Sequence, residues 1–178
     1  MARVYVITGA PGVGKTTALI RLVKMLKSAG VSVDGFYSVE IKEEGVRKGF
    51  SFVDVSTGNS VELASVSGDG IRFGRYKVKV KNVEEFVPKV IKRAVEYSKV
   101  VVIDEIGPME LFSESFRKAV EELLKTDKVV IAVVHRSFSH DLMKEVLKSA
   151  KVKIEITESN RDSVPEQIFE MLKSEQVF

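Results

Sequence analysis

The stretch of sequence that decides the fold is Gly9-Ala10-Pro11-Gly12-Val13-Gly14-Lys15-Thr16. It matches the pattern G-x-x-x-x-G-K-[ST], in which glycines let successive backbone N–H groups wrap around phosphate oxygens. Residues 3–7 before it form a short apolar run that predicts a buried strand, and Thr17 continues into a helical pattern. Lys15 supplies a positive charge for the β- and γ-phosphates, and Thr16 supplies a hydroxyl ligand for Mg²⁺. Residues 9–17 are therefore predicted to bind a nucleoside triphosphate, with Mg²⁺ as the cofactor.

Two neighbouring acids, Asp104 and Glu105, follow a second apolar run at residues 100–103. Such a run is typical of a buried strand in a parallel sheet, and these sheets bind ligands where their strands end. Asp104 is therefore expected to hold Mg²⁺ through water, together with Thr16. Glu105 is expected to orient a water for attack on the γ-phosphate, and the alternative is an ion pair with a nearby Lys or Arg. Glu105 and Lys15 are the predicted catalytic residues.

A rival motif overlaps these acids. Residues 104–107 also fit D-x-x-G, the γ-phosphate sensor of regulatory GTPases. Those proteins usually recognise guanine through Asn-Lys-x-Asp late in the chain. The nearest approach here, residues 160–162, lacks the Lys and the spacing. A guanine-specific switch is therefore the less favoured interpretation.

The composition limits the kind of protein this is. The chain has 178 residues and 44% hydrophobic content, enough for one domain spanning residues 1–178. Its net charge of +3, from 28 basic and 25 acidic residues, is too small to indicate nucleic-acid binding. The lack of cysteine excludes disulfides, thiolate zinc sites and cysteine nucleophiles, and two histidines argue against a histidine-built metal centre. With no signal-peptide pattern and no apolar run of membrane-spanning length, we expect a cytoplasmic protein.

Helical and strand patterns alternate along the chain, which predicts an α/β fold with a mainly parallel sheet. The pattern changes between about residues 36 and 81, where glycines punctuate short β-prone runs, and we interpret this part as a β-rich insertion of hairpins. Regular alternation then resumes, with strands predicted at 100–103, 129–134 and 152–156. The lysine-containing C-terminal tail is expected to be frayed.

Capping patterns mark three helix starts. Asn82 with Glu85 resembles a capping box ahead of a helix that runs to about residue 98. Ser113 is expected to cap a helix through residue 125. Ser163 with Glu166 is expected to cap the last helix in the same way.

The chain resembles the THEP1-type nucleoside-triphosphatases, a small P-loop family. The resemblance covers nearly the whole chain in family order, and the segment around the two acids is its most diagnostic part. One departure is Pro108, where a Lys is expected in many relatives, so any contact of that Lys with phosphate or metal is missing here. The matching segments are residues 7–17, 34–37, 75–76, 102–113 and 158–162.

The resemblance implies a RecA-like core, a mainly parallel five-stranded sheet of order 5-1-4-3-2 that is flanked by helices. It also implies a β-hairpin insertion and slow Mg²⁺-dependent hydrolysis of several nucleoside triphosphates, ATP and GTP among them. In that strand order, His135 and Arg136 end a strand that faces the γ-phosphate, and either is a candidate sensor. The alternative is a polar strand end exposed to water.

Asn160 and Arg161 follow the last strand, in the loop expected near the base and ribose. The planar guanidinium of Arg161 stacks on any base, which suits a broad substrate range, and the alternative is a surface turn. An arginine, Arg136 or Arg161, is also expected to offset charge on the transferring phosphoryl group or to contact the base. Basic and apolar residues alternate from 75 to 81, which predicts a strand with one basic, solvated face.

Two other classes of function share these features. A small-molecule or nucleoside kinase would use the same loop and Asp104 but needs a second site for an acceptor. A regulatory nucleotide-binding module would act through a partner, for instance nucleic acid on the basic strand face, although nucleic-acid binding is not favoured. We expect a monomer that binds nucleoside triphosphates and does not bind a membrane.

Overall fold

The computed structural model describes residues 1–178 and contains one nine-stranded sheet with α-helices packed on both faces. The strands are β1 (Arg3–Gly9), β2 (Val33–Glu43), β3 (Val46–Asp54), β4 (Ser60–Ser65), β5 (Ile71–Phe73), β6 (Tyr76–Val78), β7 (Val100–Ile106), β8 (Val129–Val134) and β9 (Ala150–Ile156). The helices are α1 (Lys15–Ser28), α2 (Val80–Tyr97), α3 (Glu114–Leu124), α4 (Asp141–Ser149) and α5 (Val164–Ser174), with a 3₁₀ turn at Glu110–Phe112.

The strand order across the sheet is β5-β6-β4-β3-β2-β7-β8-β1-β9. Five strands, β2, β7, β8, β1 and β9 in sheet order, pair in parallel. The strands β2, β3, β4, β6 and β5 pair antiparallel. Parallel strands need helical crossovers, and these cover both faces, so the central strands are apolar along their length. Every residue of β8 is buried. The α/β prediction is confirmed.

The insertion is a continuation of the sheet. Strand β2 pairs with β7 at its beginning and then runs on into a hairpin with β3. Gly35 lies where β2 crosses close to β7, and a Cβ built there would come 2.0 Å from the Val102 carbonyl oxygen. Its φ of +136° is also one that side-chain-bearing residues rarely adopt. The close approach of the two strands therefore requires glycine.

A charged triad ties this extension to α2. Arg93 donates to Asp34 of β2 through Nε at 2.7 Å and to Asp54 of β3 through Nη2 at 2.7 Å. Burial raises the pKa of each carboxyl, but hydrogen bonds from Arg93 and from nearby backbone N–H groups outweigh it, so both pKa values lie below the ordinary one. The hairpin that carries one wall of the candidate site is thus anchored to the core.

Two of the three predicted capping hydrogen bonds are wrong. The Ser113 oxygen accepts from the Phe116 N–H at 3.1 Å, as expected. Asn82, however, lies inside α2, which already begins at Val80, and its amide donates to the Glu62 carbonyl at 3.0 Å. Ser163 is the N-cap residue of α5, as predicted, but its hydroxyl donates to the Asn160 carbonyl at 3.0 Å and makes no capping hydrogen bond. In both cases a tertiary or turn contact takes the side chain that local spacing assigned to the helix end.

The predicted basic strand at residues 75–81 is correct only over Tyr76–Val78. Strand β6 is only three residues long, and Lys81 belongs to α2. Lys79 instead closes a neighbouring turn by donating to the Ser67 carbonyl at 2.8 Å. The C-terminal tail is not frayed at its end: Val177 is buried, and its N–H donates to the Leu172 carbonyl at 3.0 Å. None of the helices has the length and apolar content that a membrane crossing requires.

Candidate active site

The loop between β1 and α1 is shaped by its glycines. Gly9, Gly12 and Gly14 all have positive φ, and a Cβ on Gly9 would come 2.8 Å from the Ile156 carbonyl oxygen. Gly14 is the N-cap of α1; no side chain caps this helix and its first turn holds no acid. The positive end of the helix dipole is therefore left to an anionic ligand.

Lys15 lies inside this loop. Its ammonium donates to the carbonyl oxygens of Gly9 at 2.8 Å and Ala10 at 3.3 Å. These contacts hold the charge over the loop without an acidic partner, since no ion pair involves Lys15. The ammonium and the start of α1 together concentrate positive potential at one point.

The adjacent residue connects the loop to the strand that ends in acids. The Thr16 hydroxyl donates to the Asp104 carboxylate over 2.5 Å, and Asp104 is 1% exposed. Burial raises the pKa of Asp104 to about 7; the Thr16 hydrogen bond lowers it and the neighbouring Glu105 charge raises it. Ser38 of β2 donates to the Asp104 carbonyl at 2.7 Å, which fixes the backbone at this position.

Two further carboxyls accompany Asp104. Glu105 is half-buried and lies at a register shift between β7 and β8, where a strand turns its side chains away from the regular pleat. Burial raises the pKa of Glu105, while the charges of Lys15 and His135 oppose the rise. Glu110 is 3% exposed, and burial together with Glu105 raises its pKa well above the ordinary value. A Cβ on Gly107 would lie 3.0 Å from an oxygen of both glutamates, so this glycine packs between them.

These groups share one cleft of about 870 Å³. Its walls include Lys15, Thr16, Asp104, Glu105 and His135. The structure thus brings together the loop, both acids and one sensor candidate. Residues of the β2–β3 hairpin and β5 also line this cleft.

The remaining candidates lie outside the cleft. Arg136 points to Glu155, with 4.0 Å between Nη1 and Oε1. Arg161 packs on the loop: its Cδ lies 3.6 Å from a Cβ position on Gly14, and its Nη1 lies 3.5 Å from the Val13 carbonyl oxygen. The Asn160 side chain accepts from the Thr157 N–H at 2.7 Å and so holds the turn that presents Arg161.

Sequence reasoning missed two residues of this site. Ser38 had no signal, because its role depends on β2 lying beside β7. Glu110 lies in the segment that carries the family resemblance, but an acid six positions after Asp104 has no helical or strand spacing that would aim it at the site. Only the 3₁₀ turn at Glu110–Phe112 brings its carboxyl back towards Glu105.

Together, a glycine loop, a lysine, a helix N-terminus and an acid near the end of β7, a parallel strand separated from β1 by β8, define a P-loop nucleotide-binding protein. The sequence model of the NTPase family matches residues 4–169, and the chain belongs to this family. The resemblance to the THEP1-type nucleoside-triphosphatases is thereby confirmed.

Known proteins are similar over nearly their whole length. The nucleoside-triphosphatase THEP1 of Methanosarcina acetivorans is 42% identical over 163 residues, covering 91% of this chain and 92% of that protein. The THEP1 of Thermofilum pendens is 43% identical, over 94% of this chain and 93% of that protein. Among solved structures, THEP1 from the hyperthermophile Aquifex aeolicus superposes with a TM-score of 0.82 at 33% identity, over 95% of this chain and 98% of that one. A human cancer-related nucleoside triphosphatase superposes with a TM-score of 0.80 at 33% identity, over 97% of this chain and 98% of that one.

Proposed function

We propose that this chain hydrolyses nucleoside triphosphates to the diphosphate and inorganic phosphate, with Mg²⁺ as the metal and with little preference for the base. The observation that carries the proposal is the 2.5 Å hydrogen bond between the Thr16 hydroxyl and the Asp104 carboxylate, in the cleft that Lys15 also lines. The names of the THEP1 relatives support the reaction class.

The residues present fit Mg²⁺. Thr16 would bind it directly and Asp104 through water, and hydroxyl and carboxylate oxygens are the ligands this hard cation prefers. The structure has no group of three or more His, Cys, Asp or Glu arranged to hold a metal. The other ligands would therefore be phosphate oxygens and water. Bound Mg²⁺ neutralises charge on the phosphate oxygens.

The chain's own groups supply the remaining steps. The N–H groups of residues 9–16 and the Lys15 ammonium bind the phosphates. The Glu105 carboxylate orients a water and accepts its proton while the water oxygen bonds to the γ-phosphorus and the bond to the β–γ bridging oxygen breaks. Burial raises the pKa of Glu105, which makes it a stronger base than an exposed glutamate.

Three further features belong to the proposal. The parallel strands, numbered along the chain, run 5-1-4-3-2 across the sheet, which supports a RecA-like core. Because all strands join one sheet, residues 1–178 are proposed to be one domain with the insertion at about 36–81. The guanidinium of Arg161, which lies against the loop, is proposed to stack on the base, a contact that does not distinguish one base from another.

The test is release of inorganic phosphate from ATP, GTP, CTP and UTP, each with Mg²⁺ and with excess chelator. We expect all four to be hydrolysed with kcat/KM values within about tenfold of one another, and only with the metal. Hydrolysis that persists with chelator would remove the metal from the mechanism. Absence of phosphate release from all four would overturn the proposed reaction.

A further inference from the structure

The cleft extends beyond the part that hydrolysis uses. Besides the loop and the acids, its lining includes residues of the β2–β3 hairpin and Phe73 of β5, and we call the part formed by Val39, Lys42, Arg47, Phe50 and Phe73 the hairpin end. Asn160 and Arg161, which we assign to the base, do not line it. The triphosphate tail and the attacking water are placed at the loop and the acids, whereas the whole cleft measures about 870 Å³, within the size range of small-molecule sites. The hairpin end of the cleft therefore has space that neither water nor the base fills.

This end has an apolar wall that is open to solvent. Phe73 is 37% exposed and Val39 is 36% exposed, and both line the cleft together with the half-buried Phe50. The Phe73 ring packs edge-on against Phe112 at 6.0 Å, which links the insertion to the segment after the acids. Exposed aromatic side chains that converge on one cleft are typical of a ligand site, and their flat faces suit a planar ring.

The same end carries an excess of positive charge. Glu40 pairs with Arg47 at 2.6 Å and with Lys42 at 3.4 Å, so two cations share one anion. The Arg47 guanidinium also lies 5.4 Å from the centre of the Phe50 ring, which places a cation beside the aromatic wall. An anionic group of a ligand is therefore attracted to Arg47 and Lys42 at the hairpin end, beside the aromatic wall that suits its planar ring.

We infer that the hairpin end of the cleft binds a second small molecule, one that combines a planar ring with an anionic group, as nucleoside 5′-monophosphates do. This inference rests on the proposed function for the position of the triphosphate. It assigns the β-rich insertion a role as the wall of a second binding site beside the phosphates.

The test is binding of AMP, GMP, CMP and UMP to protein already saturated with Mg²⁺ and a non-hydrolysable ATP analogue, measured by titration calorimetry. The analogue blocks the first nucleotide site. We expect at least one monophosphate to bind with a Kd below about 1 mM. Phe73→Ala and Arg47→Ala should each weaken monophosphate binding roughly tenfold, because Phe73 supplies the surface for the ring and Arg47 the charge for the phosphate. Arg72→Ala is the matched control, since Arg72 adjoins Phe73 on β5 but does not line the cleft.

Three results would overturn the inference: no binding of any of the four at about 10 mM, equal binding by all variants, or displacement of the analogue by the monophosphate. Circular dichroism of each variant shows whether it is folded, and the Arg47 and Phe73 side chains are exposed enough that folding should survive. Phosphate release from ATP by the same preparation tests the proposed function separately. If release is absent while monophosphate binding persists, only the proposed reaction fails.

Discussion

The Thr16 hydroxyl donates a hydrogen bond of 2.5 Å to the Asp104 carboxylate, although the two residues are 88 positions apart in the chain. Thr16 lies in the first turn of α1 and Asp104 lies near the end of β7, so the contact joins the phosphate loop to a strand that is separated from β1 by β8. The two oxygens are held by packed elements, and little reorganisation is needed to offer them to a metal.

The first prediction concerns Asp104→Asn, which keeps the size of the side chain and removes its charge. We expect kcat/KM for ATP to fall about 100-fold, with a higher Mg²⁺ concentration needed for half-maximal rate, because the metal loses its charged partner. Phosphate release across a Mg²⁺ titration measures both effects. Asp127→Asn, an exposed aspartate after α3, is the control. An unchanged Mg²⁺ requirement in Asp104→Asn would contradict the assignment.

The second prediction separates binding from chemistry. Glu105→Gln should bind ATP with near-parental affinity and hydrolyse it about 100-fold more slowly, because the amide cannot accept the proton of water. Lys15→Ala should instead lose most ATP binding, since it removes the charge over the loop. Titration with ATP analogue and single-turnover hydrolysis measure the two quantities. Equal turnover by Glu105→Gln and the parent protein would remove the water-positioning role.

The sequence was informative where one local motif carries the chemistry and less so where a contact is made between distant segments. The loop and the run before Asp104 are contiguous, so their elements followed from spacing and apolar content. The failed caps show the limit. Ser163 has the stronger local pattern, with Glu166 three positions later, yet only the Ser113 side chain caps its helix, because the Ser163 hydroxyl donates within the preceding turn.

The cleft could not be predicted for the same reason. It forms only when the hairpin, β5 and the 3₁₀ turn lie around the loop, and their residues are far apart in the sequence. The prediction of a frayed C-terminal tail is wrong because composition says nothing about where a chain end packs. Phe178 lies 5.1 Å from Phe169, ring centre to ring centre, which covers the end of α5.

The third prediction concerns the triad. Arg93→Met should lower the free energy of unfolding at pH 7 by about 2–3 kcal/mol, because it leaves Asp34 and Asp54 buried without their partner. The value lies below that of a wholly buried pair, since the Arg93 side chain is 32% exposed. Urea unfolding measures it. Lys92→Met, exposed on the same helix, is the control and should change little.

The third prediction includes the pH dependence of that difference in the free energy of unfolding. The pKa values of Asp34 and Asp54 are lowered in the folded protein, so the stability they contribute is present above about pH 4 and is lost as the pH falls through the folded values. Neutral carboxyls no longer need Arg93, so the gap between the parent and Arg93→Met should narrow below pH 4. A gap that stays constant from pH 7 to about pH 3 would mean that Arg93 stabilises by packing alone.

The fourth prediction tests whether the close contact between β2 and β7 requires glycine at position 35. Gly35→Ala should destabilise the protein by more than about 3 kcal/mol, because its Cβ would meet the Val102 carbonyl oxygen at 2.0 Å. Gly58→Ala shares the positive φ but has no atom within 4 Å, so it should cost only about 1 kcal/mol. Gly58 has a φ of +76° and Gly35 one of +136°, so the difference between the two losses combines the steric contact with the greater backbone strain at Gly35. Similar losses for both would show that the strands can separate to admit a methyl group.

The last prediction concerns the base. Arg161 lies on the loop at Val13 and Gly14. No acidic side chain forms an ion pair with it that would fix the direction of its hydrogen bonds. Stacking by a guanidinium depends on the π-face that every base has, so Arg161→Ala should raise the KM for ATP, GTP, CTP and UTP by a similar factor of about 5–10 while kcat changes less. Arg161→Lys keeps the charge without the plane and should recover little. A loss confined to one base, or full recovery by Lys, would indicate a specific hydrogen bond or a phosphate contact in place of stacking.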